Sequence, residues 1–563
     1  MLQLSDGSKS DYGAYKDDRA KGLISASQVN RLWRSIALSV TSVWAEVYDP
    51  RDPSLQRFQE IHRRTGQAPL RLTGLVPVKT HVWEVEAIDG LMTEHYGNRT
   101  MDTLQWRYYL DETSRFKEID ITFRAQRGLE STTFLLLADA LKAPAPLLER
   151  LSLDIEAYPP AGFFYDSSGK TNGQNVIFGS QWFSGNAPRL RHLTMRNIFL
   201  DVNMDTLNAG LMGGFDNLIS FEVDCPGGVT FPFIGAWWIY LTRFTTFNPG
   251  SRLEHIDIGY IDTYAYRHRP IDESGSPGAL PPSLKSFRLQ GSIIPCVWML
   301  GDISEIPHSC RVIDLEFEVD VRLMHFDGTD SRLEHEQVLR DLMTHFSAAW
   351  MNEDCSELSL AISMSKFLLK FVSDSGRRIS LTISPIHDPN WTSELAGVRL
   401  FSDALDSIAR QQSFPCGITS ETWLKLSIVC EGDSVNVLVK SLFAFLGRFP
   451  GLRNLHLVQF PLAPFRATLC RPLFCPTNVP EPATVLNFLK VENVKDVVFP
   501  LVDRIRLDDR FFHSRWFIDA MNTFLEERVR SGNPVQVVER VNNDISTLAA
   551  IPLVRARPQV VLF

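Results

Sequence analysis

The residues able to do chemistry in this chain are scattered, not grouped. His335-Glu336 is the one His-Glu step, and Gln-Val-Leu follows it in place of the x-x-His that sets two imidazoles on one helix face for zinc. Cys470 and Cys475 are separated by four residues, flanked by Pro and Phe, and have no base nearby, so they read as inert thiols. Asp139, His345 and Cys430 lie within apolar stretches and imply no nucleophile-base pair. His62-Arg63-Arg64 falls on a helical stretch and reads as a solvated face. No glycine-rich phosphate loop, dinucleotide fingerprint or nucleophile elbow occurs. The expectation is a protein that is not an enzyme, with no catalytic residue, no metal and no cofactor. A site assembled from scattered residues or from inserted loops stays open as an alternative.

What remains is binding chemistry, carried by polar residues between apolar ones. The string apolar-x-x-apolar-x-apolar recurs as FKEIDI (116–121), LLERLSL (147–153), LRHLTM (190–195), LISFEV (218–223), LEHIDI (253–258) and LKSFRL (284–289). It continues as VIDLEF (312–317), CSELSL (355–360), WLKLSI (423–428), LRNLHL (452–457) and VKDVVF (494–499). Each copy ends in the period-2 alternation of a short strand with one buried face. If Leu151 and Leu153 are buried, Arg150 and Ser152 point outward. The same register turns out His192, Thr194, Glu222, His255, Asp257, Arg288, Asp314, Glu316, Lys425 and His456. Such positions, polar and of mixed charge, suit a peptide or protein partner and offer no deep apolar pocket.

The elements that must hold these residues alternate. Helical spacing over 131–142, 338–350, 435–447 and 516–530 is followed by a Pro or Gly break and then by a strand. Such a unit cannot bury its apolar face alone and must stack on neighbours. The predicted fold class is α/β, a leucine-rich-repeat-like solenoid with parallel strands on a concave face and helices outside. Ordinary α/β domains with similar strands are the rival reading. Segments 158–180 and 259–283, rich in Gly, Pro, Ser and aromatics, read as inserted loops.

The 563 residues carry 57 Lys+Arg against 66 Asp+Glu, a formal charge of −9. With a pI near 5.9, this argues against a nucleic-acid partner held by bulk positive charge. The most apolar stretch, Phe231 to Leu241, is about half the ~20 residues of a membrane span, so no membrane partner is expected. The eight cysteines (Cys225, Cys296, Cys310, Cys355, Cys416, Cys430, Cys470, Cys475) lack zinc spacing. Reduced thiols in a cytoplasmic or nuclear setting are the expectation.

Near the start, Val29, Leu32, Trp33, Ile36 and Ala37 recur at helical spacing, and a second short segment, 40–47, carries Trp44. Two small helices packed through Trp33 and Trp44 are predicted. The string VNRLWRSIALSVTSVWAEV resembles the second half of an F-box. HRRTGQAPLRL (62–72), LKAPAPLLERLSL (141–153), SGNAPRLRHLTM (184–195) and SRWFIDAMNTFLEERVRSGNPVQVV (514–538) resemble fungal F-box-like proteins with leucine-rich repeats. The Leu-Pro-xx-Leu/Ile helix that opens a complete F-box is not found upstream of Ser25. The resemblance implies a substrate-recognition subunit of a Skp-cullin-F-box ubiquitin ligase. Val29, Leu32, Trp33, Ile36 and Trp44 would then meet a Skp-type adaptor, and a protein substrate would lie on the repeats. A repeat scaffold without ligase coupling is the alternative. The expected organisation is a tail over 1–22, an F-box-like helical remnant over 23–50, an irregular solenoid over 51–530 and a C-terminal cap over 531–563.

Overall fold

The fold was obtained as a computed structural model. It describes residues 30–48, 55–77, 111–125, 140–157, 182–196, 217–229, 251–261, 278–303, 306–320, 329–348, 353–363, 365–386, 394–411, 418–429, 444–459, 501–508, 534–541 and 559–562, with short pieces and single positions between them. The predicted tail 1–22, nearly all of 158–180, the centre of 259–283 and the VKDVVF copy (494–499) lie outside the described residues. The chain divides into two compact units, Met1–Leu284 and Lys285–Phe563.

The first unit includes the helices α1 (Arg31–Ser39), α2 (Thr41–Val47) and α3 (Leu55–Thr65). Its strands are β1 (Leu70–Pro77), β2 (Ala87–Ile88), β3 (Leu91–Met92), β4 (Phe116–Ala125), β5 (Arg150–Ala157), β6 (Ile177–Phe178), β7 (His192–Arg196), β8 (Phe199–Leu200), β9 (Ser220–Val229) and β10 (His255–Ile261). The sheet runs β1-β4-β5-β7-β9-β10, every pair parallel. Strands β2 with β3 and β6 with β8 make two-residue pairs apart from it.

A repeated turn sets the register. In Ala145-Pro146-Leu147-Leu148 the Leu148 N–H donates to the Ala145 carbonyl at 3.1 Å, and in Ala187-Pro188-Arg189-Leu190 the Leu190 N–H donates to Ala187 at 3.0 Å. Pro fits the second position of such a turn because its φ is already near the required value. The leucine that closes the turn is buried, as are the strand residues three and five places on: Leu151 and Leu153, then Leu193 and Met195. The backbone bonding starts before the strands themselves, with Glu149 N–H donating to Lys117 O, Arg191 to Glu149 and Ile219 to Arg191 at 2.7 to 2.9 Å. Arg115, just ahead of β4, ties the sheet to the helices: its guanidinium donates to Thr65 Oγ1 at 2.9 Å and to the Ala68 carbonyl at 2.8 Å.

The second unit contains β11 (Ser286–Ser292), α4 (Ile293–Gly301), β12 (Val312–Asp320), α5 (Thr329–Ala348), β13 (Cys355–Ser363), β14 (Phe367–Ser373), β15 (Arg378–Ile386) and α6 (Glu394–Arg410). Strands β16 (Ile418–Val429), β17 (Asn454–Gln459), β18 (Arg504–Asp508), β19 (Val537–Val541) and β20 (Gln559–Leu562) follow. The order is β11-β12-β15-β14-β13-β16-β17-β18-β19-β20. Parallel pairing continues through β19 and β20, inside the segment expected as a cap. The same turn precedes β11, β12 and β17, where Leu284 donates to Pro281 at 3.0 Å, Cys310 to Pro307 at 2.9 Å and Leu452 to Phe449 at 3.1 Å.

One part of the expected ladder is corrected. CSELSL is the next copy after VIDLEF along the chain, but β12 pairs with β15, and β13 stands two strands further on. Between them β14 runs antiparallel to both neighbours, so three strands form a meander inside the otherwise parallel sheet. Helices α5 and α6 carry the chain past this meander and meet at Gln411, whose amide donates to Thr344 Oγ1 at 3.1 Å. Helix α6 packs on the apolar side of the sheet, with the Phe401 and Phe367 rings stacked at 5.9 Å. The architecture is α/β with mostly parallel pairing, compatible with a solenoid-like stack, and neither sheet closes into a barrel.

Arg377 anchors the turn between β14 and β15. It is buried, donates through Nε to the Cys310 carbonyl at 2.9 Å and pairs with Glu353 at 2.8 Å. Burial pushes the Glu353 carboxyl up, but hydrogen bonds from Arg377, Ser373 and Ser375 outweigh it and hold the carboxyl below its usual range. A depressed folded-state pKa gives stability that is present above the ordinary carboxylate range and lost as pH falls through the folded value. Arg377→Met therefore lowers stability by about 3 kcal/mol in urea titrations at neutral pH, because it leaves Glu353 unpaired. The gap to the unsubstituted protein narrows on acidification; an unchanged urea midpoint at pH 7 contradicts this role.

Candidate partner-binding face

Because the sheets bury one face, parallel register lines the opposite side chains into transverse rows. In the first unit one row is Glu118, Arg150, His192, Ser220 and His255. The next is Asp120, Ser152, Thr194, Glu222 and Asp257. All seven first-unit residues expected outward (Arg150, Ser152, His192, Thr194, Glu222, His255 and Asp257) fall in these two rows and none is buried. A third row, Asp154, Arg196 and Asp224, ends at Gly259, where a β-carbon would stand 3.0 Å from Asp224 Oδ1.

Charge on this face is partly spent internally. Arg196 donates to Glu222 at 2.7 Å and lies 4.0 Å from Asp224 Oδ2, while the Thr194 hydroxyl donates to Glu222 at 3.3 Å. Burial lowers the pKa of His192, and Arg150, Arg191 and His255 lower it further, so its imidazole is neutral at pH 7.

In the second unit Arg288, Asp314, Ser380, Lys370, Ser359, Lys425, His456, Arg506 and Glu539 form one row across nine strands. It contains Arg288, Asp314, Lys425 and His456 of the expected residues; Glu316 stands in the next row beside Gln290. Arg288 donates to Gln290 at 2.9 Å and lies 3.5 Å from Glu316. Asp314 accepts from Arg378 at 3.1 Å and from the Ser380 hydroxyl.

Several members of this face escaped the sequence reading. Ser380, Arg378 and Lys370 belong to the meander; the clean alternation of FLLKFVS and RISLTIS signals strands there, but not the leading apolar-x-x that marked the other copies. Trp423 opens WLKLSI as if it were a core residue, yet it lies on the polar face beside Lys425, with Arg506 3.7 Å above its ring. Arg504 and Arg506 both bind Glu539, which is only 4% exposed. Burial raises the Glu539 carboxyl, and the two arginines overcome this and hold it low. Asn454, two residues before His456, is 3% exposed and donates its amide to the Ser420 carbonyl at 2.9 Å.

The second expected site is the amino-terminal helix pair, and here the structure divides the five residues. Leu32, Trp33 (53% exposed) and Ile36 lie on the open side of α1 and Val29 (70%) just ahead of its Asn30 cap, with Leu38 and, on α2, Val43 also exposed. Trp44 is fully buried, donates through Nε1 to the Ala37 carbonyl at 2.6 Å and carries the Arg64 guanidinium 4.4 Å over its ring. Packing through Trp33 is thus corrected: Ala37 and Trp44 make the helix contact, and Asn30 caps α1 by accepting the Trp33 N–H at 2.9 Å. A stripe at helical spacing identifies an apolar face but not which body covers it.

The remaining chemistry-bearing residues have structural surroundings. His62 is not a freely solvated residue: its ring lies 5.4 Å from that of buried Tyr48, and burial lowers its pKa. Cys296, Cys310 and Cys355 are free and buried; burial pushes the Cys310 and Cys355 thiols up to about 12, so they are protonated at neutral pH. Among the described residues no three His, Cys, Asp or Glu side chains converge on a metal position, and no helix is long and apolar enough to cross a membrane. Cys416, Cys430, Cys470 and Cys475 lie outside the described residues. This chain matches no known protein family and no curated protein.

The exposures on α1 and α2 separate the two tryptophans experimentally. Trp33→Ala changes stability by no more than about 0.5 kcal/mol, as surface substitutions do. Trp44→Ala costs about 3 kcal/mol or more through cavity formation and an orphaned carbonyl. Thermal melts of the two variants check this, and equal losses would contradict it.

Proposed function

We propose that the chain is a non-enzymatic substrate-recognition subunit resembling the F-box receptors of Skp-cullin-F-box ubiquitin ligases. In this reading the strand ladder of each unit is leucine-rich-repeat-like, and its polar rows receive a protein partner. The open face of α1, with Leu32, Trp33 and Ile36, and Val29 just ahead of it take a Skp-type adaptor, while buried Trp44 supports the helix from behind. A cytoplasmic or nuclear location belongs to the same reading.

The observation that carries the reading is the exposed stripe on α1. Soluble chains rarely leave a Trp, an Ile, a Leu and a Val together in water, and a contiguous patch of that kind marks an interaction site. The polar rows supply the second half: alternating charges on a rigid sheet give orientation and specificity to a protein contact more readily than they enclose a small molecule.

Co-purification with a Skp-type adaptor and its cullin tests the proposal. The intact chain retains the adaptor, and Trp33→Ala combined with Ile36→Ala reduces retention by about tenfold or more, the loss expected for truncating two central apolar anchors. A chain that captures a protein on its strand face but never an adaptor is instead a repeat scaffold without ligase coupling.

A further inference from the structure

Within the long row of the second unit, five successive strands (β14, β13, β16, β17 and β18) present Lys370, Ser359, Lys425, His456 and Arg506. The cations occupy every second strand, with a hydroxyl and an imidazole between them. Neighbouring strands lie about 4.8 Å apart, so successive cations are spaced about 9.5 Å.

These charges are available to a ligand. Among the described residues neither Lys370 nor Lys425 forms an ion pair. Arg506 shares the single carboxylate of Glu539 with Arg504. Stacking on Trp423 fixes where the Arg506 guanidinium sits. His456 belongs to the same electrostatic group. Burial lowers its pKa, Lys425 and Arg506 lower it further, and Glu357 and Asp508 oppose them.

The spacing selects a conformation. A β-strand returns to the same face every second residue, about 6.7 Å, and misses the interval. An α-helix repeats its face at seven residues, about 10.5 Å, and is out of step by about 2 Å over two intervals. A polyproline II segment repeats every third residue, about 9.3 Å, and stays in register across all three cations. A nucleic acid is disfavoured because the chain as a whole carries a charge of −9 and repels a long polyanion.

We infer that this row binds an acidic segment of a partner protein, laid across the strands in polyproline II form with Asp or Glu at every third residue. The inference rests on the partner-recognition reading above and names the chemistry of that partner. The carboxylates meet Lys370, Lys425 and Arg506 in turn, and His456 takes up a proton when an anion offsets its cationic neighbours.

The test uses the full chain and two labelled peptides of one composition, Asp-Pro-Pro-Asp-Pro-Pro-Asp and Pro-Pro-Asp-Asp-Asp-Pro-Pro, in fluorescence anisotropy at low salt. The spaced peptide binds about tenfold tighter than the clustered one, and Lys425→Glu weakens it about tenfold while Lys425→Arg retains it. Thermal melts of both variants match the unsubstituted protein. Calorimetry in two buffers near pH 6 detects proton uptake on binding, absent in His456→Gln. Equal binding of the two peptides, indifference to Lys425→Glu, or displacement by an oligonucleotide of equal charge overturns the inference. A protein partner captured on the strand face whose binding survives Lys425→Glu overturns it too, and leaves the broader recognition reading standing.

Discussion

Burial of one sheet face, locked in register from strand to strand, is the constraint on which the rest of the structure depends. The leucine that leads into each strand is the key: Leu148, Leu190, Leu218, Leu253 and Leu284 are all buried three residues ahead of the first inward strand residue. A slip of one residue would carry an entire strand's apolar set to the polar side. The backbone bonds that begin before each strand, such as Arg191 to Glu149 in the first unit and Arg311 to Lys285 in the second, make that slip costlier still. Once the register is fixed, the outward rows follow without further information.

This is why so much of the face was legible from the residues. Period-2 alternation with a leading apolar residue located β4, β5, β7, β9, β10, β11, β12, β13, β16 and β17, and with them the rows that hold Arg150, His192, Asp257 and Lys425. What the pattern could not supply was spatial order. Nothing local in RISLTIS says that β15, rather than β13, lies beside β12, because that choice is made by how α5 and α6 cross the meander. Near the carboxyl end the strand is Arg504–Asp508, whose preceding turn carries Val502 in place of the usual leucine.

The amino-terminal helices show the complementary limit. Asn30 as a cap and the spacing of Val29, Leu32 and Ile36 specify a helix with an apolar stripe, yet the contact to α2 is made by Ala37, the smallest residue available. The small side chain lets the Trp44 indole reach the backbone of α1. The larger apolar residues are left facing water, an arrangement opposite to the usual preference for burying the biggest side chains. Charge is handled differently on the sheets, where Arg196 and Arg506 are held against neighbouring carboxylates and Lys425 is not.

The meander has a kinetic meaning. Between β13 and β14, and again between β14 and β15, the chain turns back within a few residues, whereas each parallel neighbour in this unit must be reached by a much longer excursion. Closing a short loop costs the least entropy, and contacts near in sequence form soonest. The three strands from Cys355 to Ile386 are thus the natural seed on which the second unit's long-range pairings condense, with growth able to proceed outward toward β12 on one flank and β16 on the other.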